Sequence, residues 1–65
     1  MDVRDYFVDR LKEALKEKDL TQNELAKRTG ISPSYISQLI QGKKTPTIKV
    51  VAKIADALNL PPSYF

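Results

Sequence analysis

Side chains that can hydrogen-bond to a polar surface or bind an anion are concentrated in one short stretch of this chain. Ser34, Ser37 and Gln38 recur at three- and four-residue spacing, which places them on one face of a helix. Lys43 and Lys44 follow shortly after them. Hydroxyl and amide groups donate and accept hydrogen bonds, and lysine ammonium groups attract anions. This set predicts recognition of a polar, negatively charged partner.

The composition lacks the groups on which most catalysis and metal binding depend. The chain has 65 residues and contains no histidine and no cysteine. The commonest general base, the thiolate nucleophile and the commonest metal ligands are therefore missing. We expect a binding module with no catalytic residues, no metal site and no cofactor, and not an enzyme.

Length and hydropathy limit the architecture. A chain of 65 residues has room for a single domain, residues 1–65, with a small core. Apolar runs fall far short of the roughly 20 residues that span a bilayer. The first ten residues, MDVRDYFVDR, lack the apolar segment of a signal peptide. These observations predict a cytoplasmic domain with no membrane association.

Positive charge is concentrated in the middle of the chain, although the net charge is only +3. Residues 1–20 carry five basic and six acidic side chains, whereas residues 21–55 carry six basic side chains and one acidic side chain. A basic segment favours nucleic acid as a partner. A mixed, solvated surface is the alternative explanation. An acidic stripe on the first predicted helix should face away from DNA, and it consists of Asp5, Asp9, Glu13 and Glu17.

Apolar residues recur at helical spacing in four segments, which predicts an all-α, four- to five-helix bundle. The first helix covers residues 5–18, with an apolar face of Val3, Phe7, Leu11, Ala14 and Leu15. The second covers residues 22–29 and buries Leu25 and Ala26, with Ile31 filling the core after it. The third runs to about residue 41 and buries Ile36, Leu39 and Ile40. The fourth covers residues 48–58, and a short fifth follows Pro61; the fourth has the apolar face Ile48, Val51, Ile54, Ala55 and Leu58.

Capping residues separate the second and third helices by a tight turn. Thr21 and Glu24 form a capping box at the start of the second helix, and Gly30 suits the left-handed residue after its end. Ser32 caps the third helix, with Pro33 in its first position. Two short helices joined in this way predict a helix-turn-helix.

The segments LTQNELAKRTGIS, YISQLIQGK and TPTIKVVAKIADALNL together are similar to one bacterial and phage family. They resemble the DNA-binding domain of lambda-type phage repressors and of xenobiotic-response-element (XRE/Cro) regulators, over about residues 7–65. The resemblance implies a sequence-specific transcriptional regulator whose third helix enters the major groove of double-stranded DNA. It further implies a repressor that binds a palindromic operator as a homodimer.

Two departures from the family pattern concern the first helix. Many members have arginine at the position of Leu15 and glutamate at the position of Ile40, and these form a buried ion pair. We infer that a hydrophobic contact replaces the pair here, which is often neutral or stabilising. Asp19 stands where the family often has glycine, and aspartate tolerates the left-handed conformation better than most residues.

The amino-terminal part of the third helix is expected to contact base edges, through Pro33, Ser34, Ser37 and Gln38. Gln38 is the strongest of these, because its amide can pair with adenine N6 and N7. Simple solvent exposure is the alternative for the two serines. Arginine is absent from this helix, so we predict readout of A·T pairs and of DNA shape.

Phosphate contacts are predicted on both sides of the third helix. The resemblance places a phosphate clamp at Gln22, where helix amides and the helix dipole favour an anion. The full predicted set is Thr21, Gln22, Asn23, Tyr35, Lys43, Lys44 and Thr45. Thr21 is primarily a cap, and packing against the second helix is an equal alternative for Tyr35.

The carboxyl-terminal segment is where related domains form their two-fold contact, so Pro62, Tyr64 and Phe65 are predicted to contribute to dimerisation. The alternative is that Tyr64 and Phe65 fold back onto the core of their own domain. The domain is also expected to serve as the amino-terminal part of a longer regulator. A second functional class remains open, in which the same fold holds a protein partner, as in antitoxins and bridging factors.

Overall fold

A computed structural model describes residues 3–65 of the chain as a bundle of helices. The helices are α1 (Val3–Lys18), α2 (Gln22–Thr29), α3 (Pro33–Ile40) and α4 (Ile48–Ala57), followed by a 3-10 helix (Pro62–Tyr64). Residues 3–65 contain no β-strand, and the predicted all-α class is confirmed. α1 begins two residues earlier than expected, and α3 and α4 each end one residue earlier. None of these helices is both long and apolar enough to cross a membrane.

The amino termini of α2, α3 and α4 are capped by side chains. Thr21 Oγ1 accepts a hydrogen bond from the Glu24 amide at 3.1 Å, and the Thr21 amide donates to Glu24 Oε1 at 3.0 Å. The predicted capping box is therefore present. Ser32 and Thr47 cap α3 and α4, accepting from amides three residues ahead. Because these bonds satisfy otherwise unpaired amides, they fix where each helix starts.

Two helices end at left-handed residues that are not glycine. Asp19 after α1 has φ 55°, and Asn59 after α4 has φ 61°. The following amides fold back, so that Leu20 N donates to the Leu15 carbonyl and Leu60 N to the Ala55 carbonyl, both at 2.9 Å. Aspartate and asparagine visit this conformation more easily than other non-glycine residues. The expectation that Asp19 supports the turn is confirmed.

The core draws on all four helices. α2 packs against α3 and α4, α1 packs against α3, and the 3-10 helix packs against α4. The largest fully buried side chains are Leu11, Leu25, Ile36, Leu39, Ile54 and Leu58. Since each of the four α-helices supplies at least one of them, the helix-turn-helix is held on a single shared core.

Two residues assigned to apolar faces lie outside this core. Val3 is 75% exposed and Ile48 is 91% exposed, so their predicted burial is wrong. Both lie in the first turn of their helices, beyond the turns that pack against neighbouring elements. Helical spacing identifies the correct side of each helix but not where the core ends along it.

The carboxyl terminus folds back onto α1. The Phe65 ring lies 5.5 Å from the Phe7 ring, centroid to centroid. Arg10 Nε donates to the Tyr64 carbonyl at 2.9 Å, and the Arg10 guanidinium stacks 3.9 Å from the Tyr64 ring centroid. Glu13 forms a 3.7 Å salt bridge with the same arginine. Of the two interpretations of Tyr64 and Phe65, the structure therefore shows the packed arrangement.

Candidate nucleic-acid interface

The turn between α2 and α3 is fixed by hydrogen bonds that Thr29, Gly30 and Ile31 make at the end of α2. Gly30, at φ 74°, donates its amide to the Ala26 carbonyl at 2.9 Å. The Thr29 hydroxyl donates to the Leu25 carbonyl at 2.9 Å and accepts from the Ile31 amide at 3.2 Å. This role of Thr29 was not predicted from the sequence, although a threonine at a helix end commonly bonds back to a carbonyl four residues earlier. These bonds set the direction in which α3 leaves α2.

α3 has one buried face and one polar face. Ile36 and Leu39 are fully buried, whereas Ser34 is exposed and Gln38 is half-exposed. Ser37 Oγ accepts a hydrogen bond from Gln41 Nε2 at 3.1 Å. The Gln38 side chain makes no hydrogen bond to any residue in the part of the chain described. Its amide is therefore available to a ligand, together with the exposed Pro33 and Ser34 at the start of the helix.

The start of α2 opens onto a cleft of about 580 Å³. Thr21, Gln22 and Asn23 line it from α2, and Leu15 and Ile40 line it from α1 and α3. Thr21 uses both its amide and its hydroxyl in the capping box, which agrees with its expected role as a cap. The amides of Gln22 and Asn23 occupy the first two helical positions and have no partner within the helix. They are the donors that an anion in this cleft would meet.

Lys12 of α1 also lines this cleft, although it was not among the predicted site residues. It is exposed and forms no salt bridge with another residue between 3 and 65. Lys12 lies one helical turn before Leu15, so the two share a face of α1. The spacing alone does not predict that Lys12 lies in the cleft, because this also depends on how the start of α2 packs against α1.

Glu24 places a negative charge in the first turn of α2. Hydrogen bonds from the Thr21 amide and hydroxyl hold the pKa of the Glu24 carboxyl below its usual value, with smaller help from Arg28 and Lys27. The ionised carboxylate reduces the attraction of this helix start for an anion. Lys12, which lines the cleft, contributes positive charge that favours an anion there.

The basic loop after α3 is tied to the end of that helix. The Lys43 amide donates to the Gln38 carbonyl at 3.0 Å, and Gly42 before it has φ 75°. The side chains of Lys43, Lys44 and Thr45 are exposed. Neither lysine forms a salt bridge with the other residues described. Both ammonium groups are therefore free to reach a phosphate beside α3.

Tyr35 and Asn23 also belong to the predicted phosphate contacts. Tyr35 is half-buried and packs against the core, so the packing interpretation accounts for part of its surface. Asn23 lines a second cleft, of about 470 Å³, together with Ser32 and Pro33. The predicted phosphate contacts of α2 and the predicted base contacts of α3 are thus adjacent. Their contacts with DNA stay predictions.

A third depression is mainly hydrophobic, and we call it the apolar groove. Its volume is about 420 Å³. Pro62 and Phe65 line it, whereas the third residue predicted for dimerisation, Tyr64, does not. The complete lining consists of Val3, Phe7, Thr45, Pro46, Ile48, Val51, Ala52, Pro62 and Phe65.

Comparison with known proteins places this geometry in a family. Residues 11–65 match the helix-turn-helix family HTH_3. An HTH-type transcriptional regulator of Sinorhizobium fredii, y4dJ, is 35% identical over 60 residues, covering 92% of this chain and 78% of the relative. The HTH-type transcriptional repressor RghR of Bacillus subtilis is 36% identical over 56 residues, covering 85% of this chain and 42% of the repressor.

A solved structure has the same fold. The crystal structure of an HTH_3 family transcriptional regulator from Vibrio cholerae superposes with a TM-score of 0.89 at 30% identity. The match covers 94% of this chain but 34% of that one. The resemblance to lambda-repressor-like domains is confirmed: the chain belongs to the HTH_3 helix-turn-helix family of DNA-binding transcriptional regulators.

Proposed function

We propose that this protein is a sequence-specific repressor that binds a palindromic operator as a dimer, with α3 in the major groove. The observation that carries the proposal is the polar face of α3, where Gln38 has an unused amide and Ser34 is exposed. Side chains of this kind read base edges in the major groove. The repressor name of the Bacillus subtilis relative supports the direction of regulation.

The cleft and the basic loop support a phosphate grip on both sides of α3. The amides of Gln22 and Asn23, with the ammonium group of Lys12, would hold one phosphate in the cleft. Lys43, Lys44 and Thr45 would hold phosphates beyond the other end of α3. Phosphate contacts position a domain on DNA, while the base contacts select the sequence.

The proposal is tested by selecting bound duplexes from a randomised library at two salt concentrations. We expect enrichment of an inverted repeat whose half-sites lie about one helical turn apart. Recovery of unrelated sequences, with binding that falls steeply as salt rises, would indicate backbone contact alone. That result would contradict the proposal and favour the protein-partner function. Repression is then tested by transcription in vitro from a promoter that contains the selected site.

A further inference from the structure

The Ser37 hydroxyl is bonded by a residue outside the predicted DNA contacts. Gln41 follows the end of α3 and donates from Nε2 to Ser37 Oγ at 3.1 Å. The backbone amide of Gln41 also donates to the Ser37 carbonyl at 3.0 Å, which holds the two residues in register. Gln41 is exposed and Ser37 is half-exposed. A ligand on the polar face of α3 would therefore meet Ser37 with one side of its oxygen already occupied.

The proton of the Ser37 hydroxyl has no acceptor in the described part of the chain. A hydroxyl on a helix often donates to a carbonyl three or four residues earlier, as the Thr29 hydroxyl does to the Leu25 carbonyl. Among residues 3–65, Ser37 makes no bond of that kind. The N–H group of Gln41 occupies one lone pair of Oγ, so the proton of Ser37 turns away from Gln41. That proton is available to a ligand.

We propose that Gln41 is a positioning residue that fixes Ser37 as a hydrogen-bond donor, so that Ser37 selects a guanine or a thymine in each half-site. The inference rests on the proposed entry of α3 into the major groove, and it assigns the chemistry of one base contact. In that groove guanine presents N7 and O6 and thymine presents O4, which are all acceptors. Cytosine presents an amino group alone, and adenine presents an amino group beside N7.

The hydrogen-bonding group at position 41 should therefore set the base preference at this contact. Gln41→Glu replaces the amide by a carboxylate of similar shape that only accepts hydrogen bonds. The Ser37 proton would then point at the carboxylate, and Oγ would present its lone pairs to the DNA. A hydroxyl in that orientation fits the amino groups of cytosine and adenine. The variant should thus exchange one class of base for the other through a side chain that does not itself touch the base.

The test measures binding of the wild type, Ser37→Ala and Gln41→Glu to the selected operator, with each base pair varied in both half-sites. The pair that Ser37 contacts is the one at which Ser37→Ala loses its preference. At that pair we expect the wild type to favour guanine or thymine over cytosine by about twofold to tenfold per half-site, as for one neutral hydrogen bond. Gln41→Glu should reverse this order and leave the pair read by Gln38 unchanged.

A double variant separates the hydrogen bond from the added charge. The carboxylate of Gln41→Glu repels phosphates and lies at the negative end of the α3 dipole, so it should weaken binding to every sequence alike. In Ser37→Ala there is no hydroxyl to reorient, and adding Gln41→Glu should lower the affinity without changing the base preference. Because Gln41 is exposed, circular dichroism should show the same fold in every variant.

The failure of this inference differs from the failure of the proposed function. If the wild type discriminates between bases but Gln41→Glu keeps the same preference at the Ser37 pair, the inference is wrong and sequence-specific binding stands. A Ser37→Ala variant that keeps every preference would have the same meaning. An equal change of preference on adding Gln41→Glu to Ser37→Ala would also overturn the inference, because no hydroxyl would be needed. A wild type without preference at any base pair would refute the proposed function itself.

Discussion

Replacing Leu15 by arginine should strongly destabilise this domain. Leu15 is 8% exposed and lines the cleft beside Ile40 and Lys12, so the new guanidinium would face an isoleucine and another cation. Removing one partner of a buried ion pair costs about 3–5 kcal/mol, because the remaining charge is buried without a partner. An arginine at position 15 would likewise be a charge without a partner. The cleft opens to water, so we expect about 3 kcal/mol. A domain of this length has roughly 3–10 kcal/mol in total.

Adding Ile40→Glu to Leu15→Arg should restore part of the loss. Both positions line one cleft, and a carboxylate there would pair with the new guanidinium. Coupling between contacting residues is typically 0.5–3 kcal/mol, and we expect about 1–2 kcal/mol here. Ile40→Glu alone should cost less than Leu15→Arg, because Ile40 is only half-buried and Lys12 is nearby.

Thermal and urea unfolding followed by circular dichroism measure this double-mutant cycle. A loss of 3 kcal/mol corresponds to a Tm lower by about 12–24 °C in a domain of this size. Leu15→Met is the control, because a swap that keeps the volume usually costs less than about 1.5 kcal/mol. A double variant no more stable than Leu15→Arg would refute the inferred pairing of the two positions.

Three further perturbations test the local structure. Lys12→Gln should reduce the slope of log K against log salt by about 0.9 per half-site without changing sequence preference. The control is Lys53→Gln, at an exposed lysine that lines neither cleft, and it should leave the slope unchanged. Glu24→Gln should reduce the fall in the free energy of unfolding at acidic pH. The pKa of Glu24 is lowered in the folded state, so the ionised carboxylate stabilises the fold above the unfolded pKa. This contribution is lost as the pH falls through the folded pKa. Urea unfolding measured from about pH 3 to about pH 7, which covers the range where carboxyl groups titrate, detects this change. A variant whose free energy of unfolding depends on pH in the same way as that of the wild type would contradict it. Asp19→Val should cost about 1–2 kcal/mol at the positive φ, whereas Asp19→Gly should not destabilise the domain; equal Tm values for the two would contradict the left-handed turn.

Features set by neighbouring residues could be predicted from the sequence. The capping box of Thr21 and Glu24 depends on residues three apart, and the turn at Asp19 on one residue's backbone preference. Helical spacing also identified the buried faces, because a periodic pattern needs no knowledge of the partner helix. These local rules place the helix-turn-helix and its polar face.

Features set by tertiary contact could not be predicted. The exposure of Ile48 depends on where neighbouring helices stop, and the place of Lys12 in the cleft depends on how α1 meets α2. The choice between the two interpretations of Tyr64 required Arg10, whose hydrogen bond to it spans 54 residues of sequence. Such contacts follow from the assembled bundle and have no signature in a short segment.

The most direct test of the central claim is the effect of Gln38→Ala on a set of half-sites that differ at single base pairs. If α3 reads bases through this amide, the variant should lose about 1–3 kcal/mol of discrimination at one base pair in each half-site and keep its preferences elsewhere. Gln41→Ala is the matched control at that base pair, since the Gln41 amide, just after the end of α3, already donates to Ser37 Oγ. Equal weakening on every sequence, or no change on any of them, would contradict direct reading of DNA by α3.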